Sequence, residues 1–214
     1  MHTDLSLNYL LHVPTRRPDT DTMPMVILIH GRGADANDLA DLAPLLDPPS
    51  GARFVFPNAP KAFETYPGMA FGWTWFDGWP PEQSSVAASR AKLLTFLEEL
   101  TARYPTSALI IAGFSQGAMM SLDVGLRREV AGIVAMSGGL YELDLPDLAK
   151  AAKVPILIAH GTADDVVLVN YARRARALLE NAGFDVDYHE YPMSHQVASE
   201  EIEVVKRFIA SRAS

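Results

Sequence analysis

The 214-residue chain contains no cysteine. Disulfides, thiolate metal sites and a cysteine nucleophile are excluded, and the redox compartment stays open, because a chain without thiols is indifferent to it. Cationic residues are in the minority as well: 18 Lys and Arg against 26 Asp and Glu give a net charge of −8. A phosphate backbone is held by clustered Lys and Arg, so nucleic acid is not an expected partner. Long apolar runs are missing. Met25–Ile29 and Ala108–Ala112 are five residues each, far short of the ~20 that a membrane-spanning helix needs, so no stable membrane insertion is expected. The first residues, Met1–Leu7, carry no Lys or Arg ahead of an apolar stretch and no cleavage site. No signal peptide is expected, and the expected location is cytoplasmic. What is present is the make-up of a globular protein, 49% hydrophobic and 21% charged, long enough to bury roughly 70% of its unfolded surface without covalent staples.

Short apolar runs recur along the chain, most followed by a segment with helical spacing. Val26–Ile29, Arg53–Phe56, Ala108–Ala112, Gly132–Met136 and Pro155–Ala159 each end at Gly, Pro, Ser or His-Gly, and Asp185–Tyr191 alternates with period two before Pro192. All-apolar runs of this length read as strands covered on both faces, as in a parallel sheet. Helices are predicted over Ser84–Tyr104, Ala118–Arg128, Val166–Asn181 and Val197–Ala210. The polar, Pro-rich Pro14–Pro24 stretch reads as a surface loop joining the first two strands, and no internal repeat or low-complexity segment occurs. Alternating strands and helices predict one α/β domain over residues 1–214, a mostly parallel central sheet with helices on both faces.

The sharpest motif is Gly113-Phe114-Ser115-Gln116-Gly117, placed after an apolar strand and before a helix. That is the context of a nucleophile elbow: a strained turn aims the serine hydroxyl into a cleft, and small residues two before and two after it avoid a backbone collision. The N–H of Gln116, at the helix start, then points where an oxyanion would develop. A serine hydroxyl is a poor nucleophile at neutral pH, so a base and a group orienting that base must follow. In the chain order Ser, acid, His, the acid candidate is Asp164, with adjacent Asp165 as competitor, and the base candidate is His195. Both follow strands, at the sheet edge where open α/β folds build sites. His2 and His12 lie near the N-terminus, His189 within a strand, and His160 on the Asp164 loop, which it is expected to brace. The loop His30-Gly31-Arg32-Gly33 can fold close to a substrate, and the Arg32 N–H is the expected second oxyanion donor. It lacks the spacing of a nucleotide-binding glycine loop.

Taken together, His30-Gly-Arg-Gly-Ala-Asp, Gly113-Phe-Ser-Gln-Gly, His160-Gly-Thr-Ala-Asp164, Ser194-His195-Gln-Val and Trp75-Phe76-Asp77 resemble the phospholipase/carboxylesterase family. This is a group of α/β-hydrolases without a large lid that includes acyl-protein thioesterases and bacterial carboxylesterases. The resemblance runs from about residue 7 to residue 210. It implies an α/β-hydrolase fold, a Ser115–His195–Asp164 triad, an oxyanion hole from the N–H groups of Arg32 and Gln116, no metal or organic cofactor, and is compatible with a homodimer. Arg32 departs from the aliphatic residue expected there, which puts a guanidinium near the mouth of the site. Ala118 and Leu168 depart from a commoner Gly and Pro without touching the chemistry.

The segment Phe63–Trp79 holds seven of the nineteen aromatic residues and all three tryptophans. Its interspersed glycines and prolines predict a loop, and rings in a loop must cover something. They either pack over the sheet edge or wall an apolar pocket beside Ser115, with Trp75, Phe76, Trp73 and Phe71 as the substrate-binding candidates. The expected activity is hydrolysis of small to medium acyl or aryl esters, with a small-molecule ester as the partner. Protein thioester or lysophospholipid cleavage is the alternative, and a ligand-binding member of the fold is the non-enzymatic one. The related dienelactone hydrolases use a Cys nucleophile that this chain lacks.

Overall fold

The apolar runs become the interior of one sheet. The computed structural model describes residues 1–15, 19, 23–66 and 68–213. Strands β1 (Tyr9–His12), β2 (Met25–Ile29), β3 (Arg53–Pro57), β6 (Leu109–Phe114), β7 (Gly132–Met136), β8 (Ile156–Gly161) and β9 (Val186–Tyr191) form a seven-stranded sheet in the order β1-β3-β2-β6-β7-β8-β9. Only β1 is antiparallel; the other five pairings are parallel. Every residue of β2, β3, β7 and β8 is buried, whereas β9 at the edge is mostly half-buried, which explains why only it shows alternation.

Side chains one residue apart leave a strand on opposite faces, and two cores result. Ile27, Ile111, Ile133 and Ile158 face Leu93, Leu97, Met120, Leu122 and Leu179, which belong to α2 (Gln83–Arg103), α3 (Gln116–Gly125) and α4 (Val169–Asn181). Val26, Leu28, Ile110, Val134 and Leu157 face Leu46, Val205, Phe208 and Ile209, from α1 (Ala43–Leu46) and α5 (Ser199–Arg212). The expected layering of helices on both faces is what forms.

Two boundaries differ in ways that bear on function. α3 begins at Gln116, two residues before the predicted start, so the serine abuts the helix directly. α4 begins at Val169 rather than Val166, because the N–H groups of Val166 and Val167 are taken by the Asp164 side chain. The larger correction concerns Phe63–Trp79. Instead of a loop, most of it is a hairpin of β4 (Lys61–Tyr66) and β5 (Met69–Thr74). Register shifts at Phe63/Glu64 and Glu64/Tyr66 interrupt the period-two pattern that would have revealed it. The predicted Pro14–Pro24 loop lies for the most part outside the described residues.

The first turn of α5 buries a carboxyl. Glu201 is fully buried; Oε2 accepts the Ala198 N–H at 3.3 Å, while Oε1 has no partner. Burial pushes its pKa up to about 7 from 4.5. The folded state therefore holds a proton that the unfolded chain releases. The stability this confers is complete below about pH 4.5, declines as pH rises, and is gone above about pH 7. At roughly 1.4 kcal/mol per pH unit the penalty reaches at most roughly 3 kcal/mol. Glu201→Gln keeps the Ala198 contact without the charge, so it is expected to raise Tm more at pH 8 than at pH 5. Equal gains at both pH values would show that the carboxyl is not neutral in the fold.

Candidate active site

Ser115 stands where β6 turns into α3, with φ 57° and ψ −119°. A non-glycine residue in this region costs about 1–3 kcal/mol. The turn is over-determined by its surroundings. The Ser115 N–H donates to Met136 O at 2.9 Å, and Ser115 O accepts from Met119 N–H at 3.2 Å. A Cβ at Gly117 would overlap the Ile29 carbonyl, and one at Gly113 the Gly117 carbonyl, so both small residues of the motif are sterically required.

Two loops that leave the carboxyl ends of β8 and β9, on the same edge of the sheet as the end of β6, meet this serine. His195 Nε2 lies 2.9 Å from Ser115 Oγ, and Nδ1 lies 2.7 Å from Asp164 Oδ2. The other carboxylate oxygen, Oδ1, accepts the N–H groups of Val166 and Val167 at 3.0 and 2.8 Å. Those donors set the carboxylate plane and turn Oδ2 toward the imidazole. Because the carboxylate can only accept, Nδ1 carries the imidazole proton and Nε2 is left to accept from the serine hydroxyl. Asp164 is 4% exposed, whereas Asp165 faces solvent; of the two acids, Asp164 is the one brought to His195.

Buried histidines brace both sides. His160 Nε2 is 2.7 Å from Val167 O and 3.3 Å from Asp164 Oδ2, while its Nδ1 is unpartnered. Burial lowers its pKa, so it is neutral, with the proton on Nε2 shared between the two oxygens. His30 lies under the loop after β2. Its Nδ1 donates to Gly31 O at 2.7 Å and its Nε2 accepts the Ala59 N–H at 3.1 Å, an arrangement only the neutral ring can make, and burial lowers its pKa too. The Trp75 indole N–H donates to His30 O at 2.9 Å. The loop comes so near the serine that a Cβ at Gly31 would lie 3.3 Å from Ser115 Cβ. Of the remaining histidines, His2 stacks on Tyr9, His12 meets Phe54 edge-on, and His189 pairs with Asp187.

Gln116 does more than offer a backbone N–H. Its Oε1 accepts from Thr74 Oγ1 and the Trp75 N–H, both at 3.0 Å, and its Nε2 donates to Phe76 O at 2.9 Å. The side chain thus ties the end of β5 to the elbow. The one trace of this role in the sequence is an amide side chain directly after the serine.

The cleft that opens at Ser115 and Gln116 has a volume of about 120 Å³ and is walled by Trp79, Met119, Val166 and Val167, with Gly78 and Arg32. The four ring candidates sit elsewhere. Trp75 is 1% exposed and Phe76 is buried beside it; Trp73 is half-buried, and Phe71 is 58% exposed on the hairpin. Trp75 is drawn inward because its indole N–H finds a partner under the loop, and of the segment's seven rings, all among the described residues, Trp79 alone lines the cleft. The valines were missed as walls because a predicted helix had absorbed them. Among the described residues no group of three or more His, Asp or Glu is disposed to hold a metal ion, and no helix is long and apolar enough to cross a membrane.

Known proteins resemble the chain over most of its length. Residues 12–212 match the phospholipase/carboxylesterase family model. Acyl-protein thioesterase 1 of Debaryomyces hansenii is 31% identical over 206 residues, covering 86% of this chain and 89% of that protein. The crystal structure of esterase PE8 superposes with a TM-score of 0.82 at 31% identity, covering 98% of this chain and 99% of that one. A carboxylesterase from Mesorhizobium loti, 23% identical with a TM-score of 0.80 over 98% and 97% of the two chains, speaks for the α/β-hydrolase fold alone.

Proposed function

Because this chain belongs to the phospholipase/carboxylesterase family, and is therefore a hydrolase of the esterase and thioesterase kind, we propose that it is a serine carboxylesterase for small to medium acyl or aryl esters. The observation that carries the reading is the unbroken hydrogen-bonded chain from Ser115 Oγ through His195 to Asp164, at 2.9 and 2.7 Å. In this mechanism His195 takes the hydroxyl proton as Ser115 Oγ attacks the ester carbonyl, and Asp164 stabilises the imidazolium. The N–H groups of Arg32 and Gln116 hold the oxyanion. Collapse of the tetrahedral adduct expels the alcohol, protonated by His195, and leaves an acyl-enzyme. His195 then deprotonates the water that releases the acid. No cofactor enters the scheme.

The size of the cleft supports a short acyl group. Its volume of about 120 Å³ is well below the roughly 300–1,000 Å³ usual for sites that bury larger ligands. The thioesterase alternative draws on the relatives named acyl-protein thioesterase 1, and the exposed Tyr171, whose ring meets that of Trp79 in the cleft wall, offers apolar surface to a longer chain. Labelling with a fluorophosphonate, followed by p-nitrophenyl esters from acetate to laurate and matched butyryl thioesters, tests the reading. A stoichiometric adduct on Ser115 and turnover falling beyond hexanoate are expected. Turnover rising toward laurate, or thioesters favoured over their oxygen twins, would replace it with the thioesterase reading. Absence of any adduct on folded protein would favour a ligand-binding role.

A further inference from the structure

The cleft at Ser115 shares one side chain with a second, larger hollow. That hollow, about 430 Å³, lies between the loop after β2 and the hairpin, with Arg32, Lys61, Phe63, Glu64 and Asp77 in its walls. The two spaces differ in character: the cleft is mainly apolar around Trp79, Met119, Val166 and Val167, and the hollow is charged. Arg32 belongs to both.

The charges in the hollow are unequally satisfied. Lys61 Nζ is 2.5 Å from Asp77 Oδ2, and Glu64 Oε2 accepts the Gly68 N–H at 3.1 Å. Arg32 alone of these four makes no ion pair or side-chain hydrogen bond among the described residues. Its guanidinium lies 4.7 Å from the centre of the Phe63 ring. Cation–π attraction to a ring holds a guanidinium in place without using its N–H groups, which are left to take a carboxylate or phosphate. The backbone beneath is pinned as well. Gly33 N–H donates to Trp73 O and Trp73 N–H to Ala34 O, both at 2.8 Å, so the cation is carried by a loop stapled to β5.

From this juxtaposition we infer that Arg32 selects the substrate: its guanidinium binds an anionic group, carboxylate or phosphate, on the alcohol portion of the ester, while the apolar cleft takes the acyl portion. The inference rests on the esterase reading above and names the substrate class that reading left open. Because Arg32 is solvent-exposed, a charge-assisted contact there is worth less than a buried one, which sets the expected preference at about tenfold.

The test uses three butyrates on one aryl frame: those of 4-hydroxybenzoate, of its methyl ester, and of 4-hydroxyphenyl phosphate. The ratio of kcat/KM for each anionic ester over the neutral one is measured in the wild type and divided by the same ratio in Arg32→Gln. The intrinsic reactivity of each ester cancels, as does any disturbance of the oxyanion hole, which all three share. A quotient of about ten, residing mainly in KM and shrinking at roughly molar salt, is expected, with Arg32→Lys retaining part of it. The larger of the two anionic quotients identifies carboxylate or phosphate as the preferred group. Should Arg32→Gln fail to fold, Arg32→Lys and the salt dependence of the wild-type ratio carry the same comparison. A quotient within about twofold of unity, or a salt-independent ratio, with the neutral ester still turned over, would overturn the inference alone. Loss of all three activities without a fluorophosphonate adduct would remove the esterase reading and the inference with it.

Discussion

Ser115→Ala is expected to lower kcat for p-nitrophenyl butyrate by about 10⁵-fold, leaving the far-UV circular dichroism spectrum and Tm close to wild type. The size of the effect follows from the loss of the acyl-enzyme route, after which only an oxyanion hole and binding remain. Stability should not suffer, because among the described residues Ser115 Oγ bonds only to His195 and Ala replaces it in a backbone conformation held by neighbours rather than by the hydroxyl. A loss below a hundredfold in protein free of wild-type contamination would mean that another group delivers the nucleophile.

Asp164→Asn should cost ~10⁴-fold in kcat, by a different route. The Val166 and Val167 N–H groups require an acceptor at the position of Oδ1. The amide oxygen of the substituted side chain meets that requirement, which forces its NH₂ toward His195 Nδ1. His195 would then accept on Nδ1 and carry its proton on Nε2, facing Ser115 with a donor where an acceptor is needed. The His160 Nε2–H, shared between Val167 O at 2.7 Å and Oδ2 at 3.3 Å, would lose the weaker of its two acceptors, so a small fall in stability should accompany the loss of activity. Asp165→Asn, at a solvent-facing position, serves as the control and should retain activity within about twofold. Comparable losses for the two variants would assign the orienting role to Asp165 or to neither.

The ends of the elements show why some predictions reached residue level and others stopped short. β7 occurs at Gly132–Met136 as predicted, because an apolar run between turn residues specifies a buried strand locally. The hairpin of β4 and β5 escaped because its strands form a separate two-stranded sheet and shift register twice, so no burial alternation was written into the residues. The start of α4 escaped for a tertiary reason: the backbone donors that would have opened the helix are satisfied by Asp164.

The parallel α/β layering, the serine elbow and the order in which nucleophile, acid and histidine occur are all local properties of the chain. Each is expressed in contiguous residues: apolar runs as long as a strand, helical spacing, and glycines where a Cβ would strike a carbonyl. Which of two neighbouring aspartates faces His195, which tryptophan reaches the cleft, and what the Gln116 and Arg32 side chains touch follow from the packed fold. Ser115 and His195 are 80 residues apart, and Gln116 and Trp75 are 41. Contacts at such separations depend on the order of strands in the sheet and on side-chain directions that no short stretch of chain contains.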